Sequence, residues 1–538
     1  MNHAPPRPPA ADRLLDAALA QLFAAPAAAA PTGRRLPWLL AALLLLGGSV
    51  VATLMWQART APHDTAQQPV DPALPDEVEA EGRAGLEALP TTSRNVCARL
   101  SQLRDLAVVA RLPQLRALRV AAEPLALLGS RPGLFDTAWQ QPPADLLQPL
   151  AQLAHLEVLR LPGELVVTPA LLAPLADHPR LRQIEFVQAP FAIDGDLAAA
   201  LARIPHLTAL CLRFVSLDAA MLRALAVLPL QSLEFDTCTG LDADGWRSLL
   251  TMRSLHRLAF RNWPWDATAG ATAWSPAAAD LRRLQELPRL RQLELRGCGL
   301  DDERFAELPD RLTTLHLRNT RVTAAGFVAL RRCLALRELV VSVNPGNGSL
   351  PTMASLFADD SAPAADAFAA ALQPLRLQTL GYSGALTPAL VAAIGAQGDL
   401  RDLEITSRQP PADAAAVLAP LPLQRLCWRA PVTPELLRTL AGKGELRELT
   451  LSADTIPSLE PLADLPRLER LQLVQTAIGN GIAAADLAPL ARSPSLRAVA
   501  VVVSVERGVA RPSEADLQRA VGKRIRLSLR ESEFTVKR

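Results

Sequence analysis

The chain has 538 residues, enough for several domains or for one long repeat array. Hydrophobic residues make up 50% and charged residues 20%, which is typical of a globular chain and not of a disordered one. The formal net charge of +2 lacks the basic excess of a dedicated nucleic-acid-binding protein. Six cysteines are too few for a disulfide-stapled scaffold, and an aromatic content of 4% predicts an aliphatic core.

The first predicted element is a membrane segment. Residues 36–56 carry no charge, and about 20 apolar residues are enough for a helix to cross a bilayer. Tryptophans lie at both ends of the segment, where indole rings favour the headgroup region. Arg34 and Arg35 precede it and Arg59 follows it, a bias that places the N-terminus in the cytoplasm and the large C-terminal part outside.

We therefore predict a single-pass protein of the cytoplasmic (inner) membrane. Residues 1–35, rich in Ala and Pro, are predicted to be a disordered cytoplasmic tail, and residues 57–85 a flexible linker. The hydrophobic segment has three alternative interpretations. A cleaved signal peptide is usually shorter, and a buried core helix seldom runs so long without a charge. A twin-arginine export signal usually carries an apolar residue where Pro37 follows Arg34, Arg35 and Leu36.

From about residue 112 the sequence repeats the pattern L-x-x-L-x-L. The alternating part predicts a short strand with its leucines turned inward, and the stretch after it returns the chain along the outer face. Residues 301–308 and 433–440 have helical spacing and begin with the N-capping residues Asp and Thr. Because no unit can bury its own apolar face, neighbouring units must stack. The fifteen units start at residues 115, 156, 181, 207, 230, 255, 290, 312, 336, 377, 400, 423, 446, 468 and 496.

With this period and leucine pattern, residues 112–504 resemble the leucine-rich repeat family. Leu315–Leu330 (LHLRNTRVTAAGFVAL) looks like the subclass with helical outer faces, found in ribonuclease-inhibitor-like and F-box-associated repeats. The resemblance implies an α/β solenoid, a horseshoe with a parallel sheet on its concave face and mostly helical returns on its convex face. It also implies that the repeats bind a protein ligand.

The two ends of the array are predicted to be caps. Residues 86–111 precede the first unit too closely for a further turn and are interpreted as an N-terminal cap. Residues 505–538 are interpreted as a C-terminal cap, with a capped helix over 513–521 and a final edge strand over 525–529. Arginines in that strand discourage further pairing.

Motifs for catalysis are missing from the sequence. It contains no Gly-x-Ser-x-Gly, Walker loop, His-Glu-x-x-His or Cys-x-x-Cys. We therefore predict no enzyme activity, no catalytic residue, no metal site and no cofactor. Cys238 and Cys298 occupy equivalent positions two units apart, beyond the reach of a disulfide, and are interpreted as small buried hydrophobes.

Strand residues beside the inward leucines form the candidate protein-binding surface. The column after the last leucine position of five consecutive units reads Arg213, Asp236, Arg261, Arg296 and Arg318. The column inside the leucine pair reads Cys211, Glu234, Ala259, Glu294 and His316. This pattern is consistent with an anionic or mixed-charge partner, and equally with an exposed surface whose charges pair with one another.

Two insertions offer further candidate surfaces. Residues 263–276 contain Trp263, Trp265 and Trp274, and tryptophan is enriched in interface hot spots. Packing of these tryptophans onto their own repeat is the alternative. Residues 342–365 are rich in Gly, Pro and Ser and are predicted to form a loop.

The leading hypothesis is a membrane-anchored, non-catalytic protein-binding module that is displayed outside the cytoplasm. Its ligand is not named by the sequence. The alternative is an exported bacterial effector that acts as a ubiquitin-ligase adaptor, against which the segment 36–56 and the lack of an evident F-box count. Frequent Ala, Arg and Pro favour a GC-rich bacterial source.

Overall fold

The computed structural model describes residues 77–534 apart from residues 101, 216, 319 and 324 and the stretches 123–141, 163–164, 188–192, 262–276, 297–299, 343–361, 408–414, 416–417, 454–456, 476–481 and 507–512. The predicted tail and membrane helix lie outside the described residues, as do the tryptophan insertion and most of the predicted loop 342–365. In the part of the chain that is described, no helix is both long and apolar enough to cross a membrane.

Eighteen parallel strands form one sheet in the described residues. Each strand pairs with the next one along the chain, as a stack of repeats requires. The strands are β1 Glu77–Glu81, β2 Asn95–Leu100, β3 Ala117–Ala122, β4 Val158–Leu161, β5 Gln183–Val187, β6 Ala209–Arg213, β7 Ser232–Asp236, β8 Arg257–Arg261, β9 Gln292–Arg296, β10 Thr314–Arg318, β11 Glu338–Ser342, β12 Thr379–Ser383, β13 Asp402–Thr406, β14 Arg425–Arg429, β15 Glu448–Ala453, β16 Arg470–Gln475, β17 Ala498–Glu506 and β18 Arg526–Phe534.

Short helices return the chain between strands, and successive return segments pack on one another. The described α-helices are Gly82–Ala88, Gln148–Ala151, Pro169–Leu172, Gly195–Ala202, Ala219–Leu225, Ala243–Leu249, Ala278–Arg282, Asp302–Ala306, Ala362–Leu372, Pro388–Gly395, Pro434–Ala441, Ala484–Leu487 and Glu514–Val521. The described 3₁₀ helices are Leu103–Arg111, Ala173–Leu175, Arg283–Glu286, Gly326–Arg332, Glu460–Leu462 and Ala488–Arg492.

Side-chain caps fix where many of these helices begin. The Asp301 carboxylate accepts from the backbone N–H of Arg304 at 3.0 Å, and the Thr433 hydroxyl accepts from that of Leu436 at 3.2 Å. Both residues are therefore the N-caps that the sequence predicts. Such a cap satisfies one of the unpaired N–H groups at a helix start and contributes about 0.5–2 kcal/mol.

The leucine pattern lies inside the solenoid. In β9 the inward residues Leu293 and Leu295 are buried, and in β7 the same positions hold Leu233 and Phe235. A continuous core of buried aliphatic side chains runs through the described units. The described chain is therefore a leucine-rich repeat solenoid with a parallel sheet and helical returns.

The ends of the solenoid differ from the predicted domain boundaries. Each of the fifteen predicted units contributes one strand, β3 to β17, but two further strands precede them. The predicted linker 57–85 overlaps β1, and the predicted cap 86–111 contains β2, which pairs with both β1 and β3. The solenoid therefore begins by Glu77. The leucine pattern does not predict these first strands, because small residues such as Ala80 and Ala98 occupy inward positions that hold larger apolar residues in the other units.

The C-terminal strand continues the same sheet. A helix over Glu514–Val521 begins after the N-cap Ser513, and β18 pairs in parallel with β17 over nine residues. The predicted capped helix and edge strand are both present, and the strand runs to Phe534, five residues beyond its predicted end.

Candidate protein-binding surface

The parallel register brings the two predicted columns together on one face of the sheet. We call it the open face; it is formed by strand side chains that point away from the leucine core. Arg213 lies in register with Asp236, and Asp236 with Arg261. The open face of β6–β10 holds all eight strand residues of the predicted site: Arg213, Glu234, Asp236, Arg261, Glu294, Arg296, His316 and Arg318.

Arg261 lies at the centre of these charges. Its guanidinium donates twice to Glu294, from Nε to Oε1 at 2.7 Å and from Nη2 to Oε2 at 2.9 Å. A third hydrogen bond, from Nη1 to Oε1 of Glu234, is 2.6 Å long. Arg257 on the same strand reaches the same two carboxylates at 3.3 and 3.1 Å. Two arginines of β8 thus bridge glutamates on β7 and β9 over the small side chain of Ala259, which separates those glutamates in the register.

The ion pairs continue toward the N-terminus through Glu185. This carboxylate lies 2.8 Å from Arg213 and 3.1 Å from Arg160, and Arg213 lies 3.6 Å from Asp236. Glu185 lies in register with Cys211, in the column inside the leucine pair, which we call the middle column. Extending that column by one strand to β5 would have predicted Glu185 as a residue of the open face. We define the charged cluster as Arg160, Glu185, Arg213, Glu234, Asp236, Arg257, Arg261, Glu294 and Arg296.

The glutamates of the charged cluster are shielded from solvent. Glu185 and Glu234 are each 8% exposed, and Glu294 is 9% exposed. The side chain of Arg261 is itself only 20% exposed. At the centre of this column the arginine is therefore not freely exposed, because Arg261 packs between carboxylates of the two neighbouring strands. Because removing one partner of a buried ion pair is strongly destabilising, the charged cluster belongs to the fold as well as to the surface.

Burial and charge act in opposite directions within the charged cluster. Burial lowers the pKa of Arg261, whereas the hydrogen bond to Glu294 and the charges of Glu234 and Glu294 raise it. The second effect is larger, so the pKa of Arg261 lies above its ordinary value. Burial raises the pKa of Glu294, yet the hydrogen bond from Arg261 and the nearby cations bring it below its usual range. The pKa of Arg296 is lowered by burial and by the charges of Arg318 and Arg261. Positive charge is therefore concentrated around Arg296.

The lowered pKa of Glu294 predicts an acid-sensitive contribution to stability. Such a carboxyl stabilises the fold above its unfolded pKa of about 4.3, and this contribution is lost as the pH falls through the lower folded pKa. We expect Glu294→Gln to lower the free energy of unfolding at neutral pH and to flatten its decline below about pH 4. Urea unfolding at a series of pH values measures both effects. Glu303→Gln, at an exposed carboxyl, should keep the wild-type profile, and an unchanged profile in the Glu294 variant would contradict the prediction.

Toward the C-terminus the open face carries two more charged contacts. Nε2 of His316 lies 2.9 Å from Oε1 of Glu338 on β11. Arg318 donates to Glu404 at 2.5 Å, although Glu404 lies on β13, three strands away. Gly381 of β12 lies in register with Glu404, and the side chain of Val340 on β11 fills the place that a Cβ at Gly381 would take, 2.9 Å from it. Glu404 belongs to the same middle column as Glu294, and following that column past β10 would have predicted it.

Two residues at the edge of the charged cluster adopt the left-handed backbone region. Phe214, with φ 54°, and Thr237, with φ 52°, directly follow β6 and β7. Phe214 is 51% exposed, and its N–H donates to the carbonyl of Asp236 at 2.9 Å. This region is roughly 1–2 kcal/mol unfavourable for a residue with a Cβ. In the sequence, the positions that directly follow β8, β9 and β10 hold residue types that adopt it readily: Asn262, Gly297 and Asn319.

Two buried titratable groups elsewhere, His178 and Lys443, have backbone partners. Nδ1 of His178 accepts from the N–H of Leu181 at 3.0 Å, and Nε2 donates to the carbonyl of Leu153 at 3.1 Å. Burial lowers the pKa of His178, which favours this neutral form. Lys443 donates to two backbone carbonyls of the preceding unit. The described residues contain no group of three or more side chains placed to hold a metal ion.

The described cysteines are free thiols: Cys97, Cys211, Cys238, Cys333 and Cys427. Cys238 is fully buried, and its Sγ donates to the carbonyl of Leu212 at 3.2 Å. Burial raises the pKa of Cys238 to about 12, so the thiol is neutral. Cys238 is thus a buried thiol as predicted, whereas Cys298 lies outside the described residues.

The tryptophan insertion and most of the predicted loop 342–365 lie outside the described residues. A role of Trp263, Trp265 or Trp274 in binding therefore stays a prediction.

Comparisons with known proteins find matches among solved structures. No family model and no curated protein matches the sequence. Among solved structures, the chain is similar to TLR13 in its complex with ssRNA13, at 12% identity over 84% of this chain and 82% of that one, with a TM-score of 0.34. It is also similar to an internalin from Listeria monocytogenes (14% identity, 69% and 83% covered, TM-score 0.30) and to a leucine-rich repeat protein from Leptospira interrogans (13%, 78% and 91%, 0.31).

Proposed function

We propose that this chain is a non-catalytic protein-binding module that recognises its partner through the open face of β6–β10 and the adjoining ring of Phe214. The observation that carries the proposal is an exposed aromatic ring on a left-handed backbone position beside the charged cluster. The local backbone does not require phenylalanine there, because Asn or Gly adopts the same φ with less strain. Strained residues of this kind concentrate at binding sites, and aromatic rings dominate interface hot spots.

The two parts of this surface have different roles in binding. Arg257 and Arg261 are held by hydrogen bonds to glutamates, so these two side chains lose little freedom when a partner docks. The positive charge around Arg296 and Arg318 attracts an acidic region of the partner and sets the association rate. The ring of Phe214 supplies the apolar anchor.

Phe214→Asn separates binding from stability. We expect this variant to keep or to raise the free energy of unfolding, by up to about 1 kcal/mol, because Asn tolerates the left-handed region. Its affinity for the partner should fall by about tenfold or more, the loss typical of a hot-spot residue. Cross-linking of the intact chain in its own membrane identifies the partner, and titration of the purified pair then measures the affinity.

Val227→Asn is the matched control for this experiment. Val227 is 71% exposed and follows the return helix Ala219–Leu225, away from the open face. The Val227→Asn variant loses an exposed apolar side chain, as Phe214→Asn does, and should bind the partner with wild-type affinity. If Phe214→Asn also binds with wild-type affinity, the proposed surface is wrong, and the tryptophan insertion becomes the next candidate.

We also propose that residues 36–56 anchor the module in the cytoplasmic membrane, with the repeats on the outer side. The support is the uncharged length of the segment and the arginines that precede it. A reporter that is active only outside the cytoplasm, fused after Arg538, should be active. A signal from a cytoplasm-only reporter at the same position would contradict this orientation.

Asp substitutions within the segment test whether it is an anchor. Replacing Leu43–Leu46 with Asp should release or misplace the chain, because each Asp near the centre of a membrane helix adds about 2.5–3.5 kcal/mol to the insertion free energy. Replacing the same four residues with Ile keeps the segment apolar and should leave the chain in the membrane fraction. Retention of the Asp variant would show that the segment is not the anchor.

A further inference from the structure

Two adjoining clefts lie where the last four strands begin, away from the charged cluster. Their volumes are about 510 and 760 Å³, and both are lined by Glu469, Arg497 and Arg524. We call the pair the basic cleft. Each volume falls in the range of small-molecule sites.

Positive charge dominates the lining of the basic cleft. Glu469 is its single acidic lining residue among those described, whereas seven lining residues are cations: Arg447, Arg467, Arg470, Arg497, Lys523, Arg524 and Arg526. The whole chain, by contrast, has a formal net charge of only +2.

Most of these cations are not neutralised by neighbouring carboxylates. Arg467 pairs with Glu445, and Arg470 pairs with Glu448 at 2.8 Å. Five cations then face the single carboxylate of Glu469, which leaves an excess of four positive charges. None of the five makes an ion pair with a described residue: Arg447, Arg497, Lys523, Arg524 and Arg526. Arg524 donates to the backbone carbonyl of Ser493. In the charged cluster, by contrast, Arg257 and Arg261 each lie against two glutamates.

The backbone holds these cations at a fixed spacing. The carbonyl of Arg447 accepts from the N–H groups of Glu469 and Arg470 at 2.8 and 3.0 Å. The carbonyl of Glu469 accepts from Arg497 at 2.9 Å, and that of Arg497 accepts from Arg526 at 2.8 Å. Arg447 and Arg497 therefore lie two strand spacings apart, roughly 10 Å, with Glu469 on the strand between them. Cations on both sides of a single carboxylate match a ligand with more than one anionic group.

We propose that the basic cleft binds a small ligand with two or more phosphate groups. Guanidinium groups bind phosphate oxygens through paired hydrogen bonds, and four of the unneutralised cations are arginines. The described lining contains no aromatic side chain on which a nucleobase could stack, so the chemistry favours the phosphates and not a single-stranded nucleic acid. The phosphates come either from a soluble compound or from a lipid headgroup.

Titration of the full chain in a neutral detergent tests the proposal with two probes. Inorganic tripolyphosphate represents a soluble ligand, and a short-chain phosphatidylinositol bisphosphate represents a headgroup with more than one phosphate. We expect calorimetry to show saturable binding of at least one probe that weakens as salt is raised. The triple variant R447Q/R497Q/K523Q should bind at least about tenfold more weakly, because it loses three charge-assisted contacts.

The triple variant R116Q/R182Q/R401Q is the matched control. These arginines are also exposed, and they occupy the position before the strand that Arg447 and Arg497 hold in their own units. The variant removes the same charge from distant units and should bind within about twofold of the wild type. Binding of tripolyphosphate assigns a soluble ligand, and binding of the lipid alone assigns a headgroup. Absence of binding by the wild type, or equal losses in both triple variants, would overturn the proposal.

Discussion

Leu293→Ala should lower the free energy of unfolding by about 2–5 kcal/mol. Leu293 is 1% exposed and lies in register between Leu258 of β8 and Leu315 of β10. Truncation removes apolar contacts and leaves a cavity that neighbouring strands, held by their ladder of hydrogen bonds, close only in part. The loss is a large fraction of the stability of an ordinary domain.

The damage from this substitution should extend to the adjoining units. Stability in a repeat array depends on interfaces between neighbours, so amide hydrogen exchange should accelerate in β8 and β10 more than in distant strands. Urea unfolding gives the overall loss. Leu334→Ala is the matched control, since Leu334 is 60% exposed and the same truncation should change stability by less than about 0.5 kcal/mol. Equal effects of the two substitutions would show that the core is not organised as described.

Arg261→Glu should be at least as destabilising, by about 3–5 kcal/mol or more. The substitution places a third carboxylate between Glu234 and Glu294, which are both buried and both depend on Arg261 for hydrogen bonds. Three carboxylates on adjacent strands repel one another, and burial keeps water from screening them. Urea unfolding at neutral pH and moderate salt measures the loss.

Exposed ion pairs provide the comparison for this prediction. Arg438→Glu reverses a pair with Glu435 in which both side chains are well exposed, and it should change stability far less than Arg261→Glu does. Neutralising the site with R261M/E234Q/E294Q should recover much of the loss, because no buried charge is then left without a partner. A stable, fully folded Arg261→Glu variant would show that the charged cluster contributes little to the fold.

These expectations change how the charged column can be used in binding experiments. From the sequence, reversing Arg261, Arg296 and Arg318 together would be a test of partner capture on an intact fold. The hydrogen bonds of Arg261 make that triple reversal a test of stability instead. Phe214, whose replacement by Asn relieves strain, is the better position for a binding test.

The repeat architecture could be predicted from the sequence because its cause is local and recurs. An inward leucine such as Leu293 has the same position in every unit, and the period that separates these positions defines a stacked solenoid. The N-caps Asp301 and Thr433 were predictable for the same reason, since a cap needs only a side-chain oxygen and the next turn of backbone. The alternation of the strands also placed both charged columns on one face.

The tertiary structure decided what those charged columns do. Glu185 and Glu404 join the arginines only because the register aligns strands that are far apart in sequence, and the depth at which Glu234 and Glu294 are buried depends on the arginines of β8. Phe214 adopts its left-handed φ at the point where its N–H donates to the carbonyl of Asp236 in the next unit. In the basic cleft, arginines that are ordinary in each repeat lie close to Lys523 and Arg524 only after the last strand has joined the sheet. A repeating pattern determines which face a side chain occupies, whereas its neighbours across strands depend on the register, which forms only when the units stack.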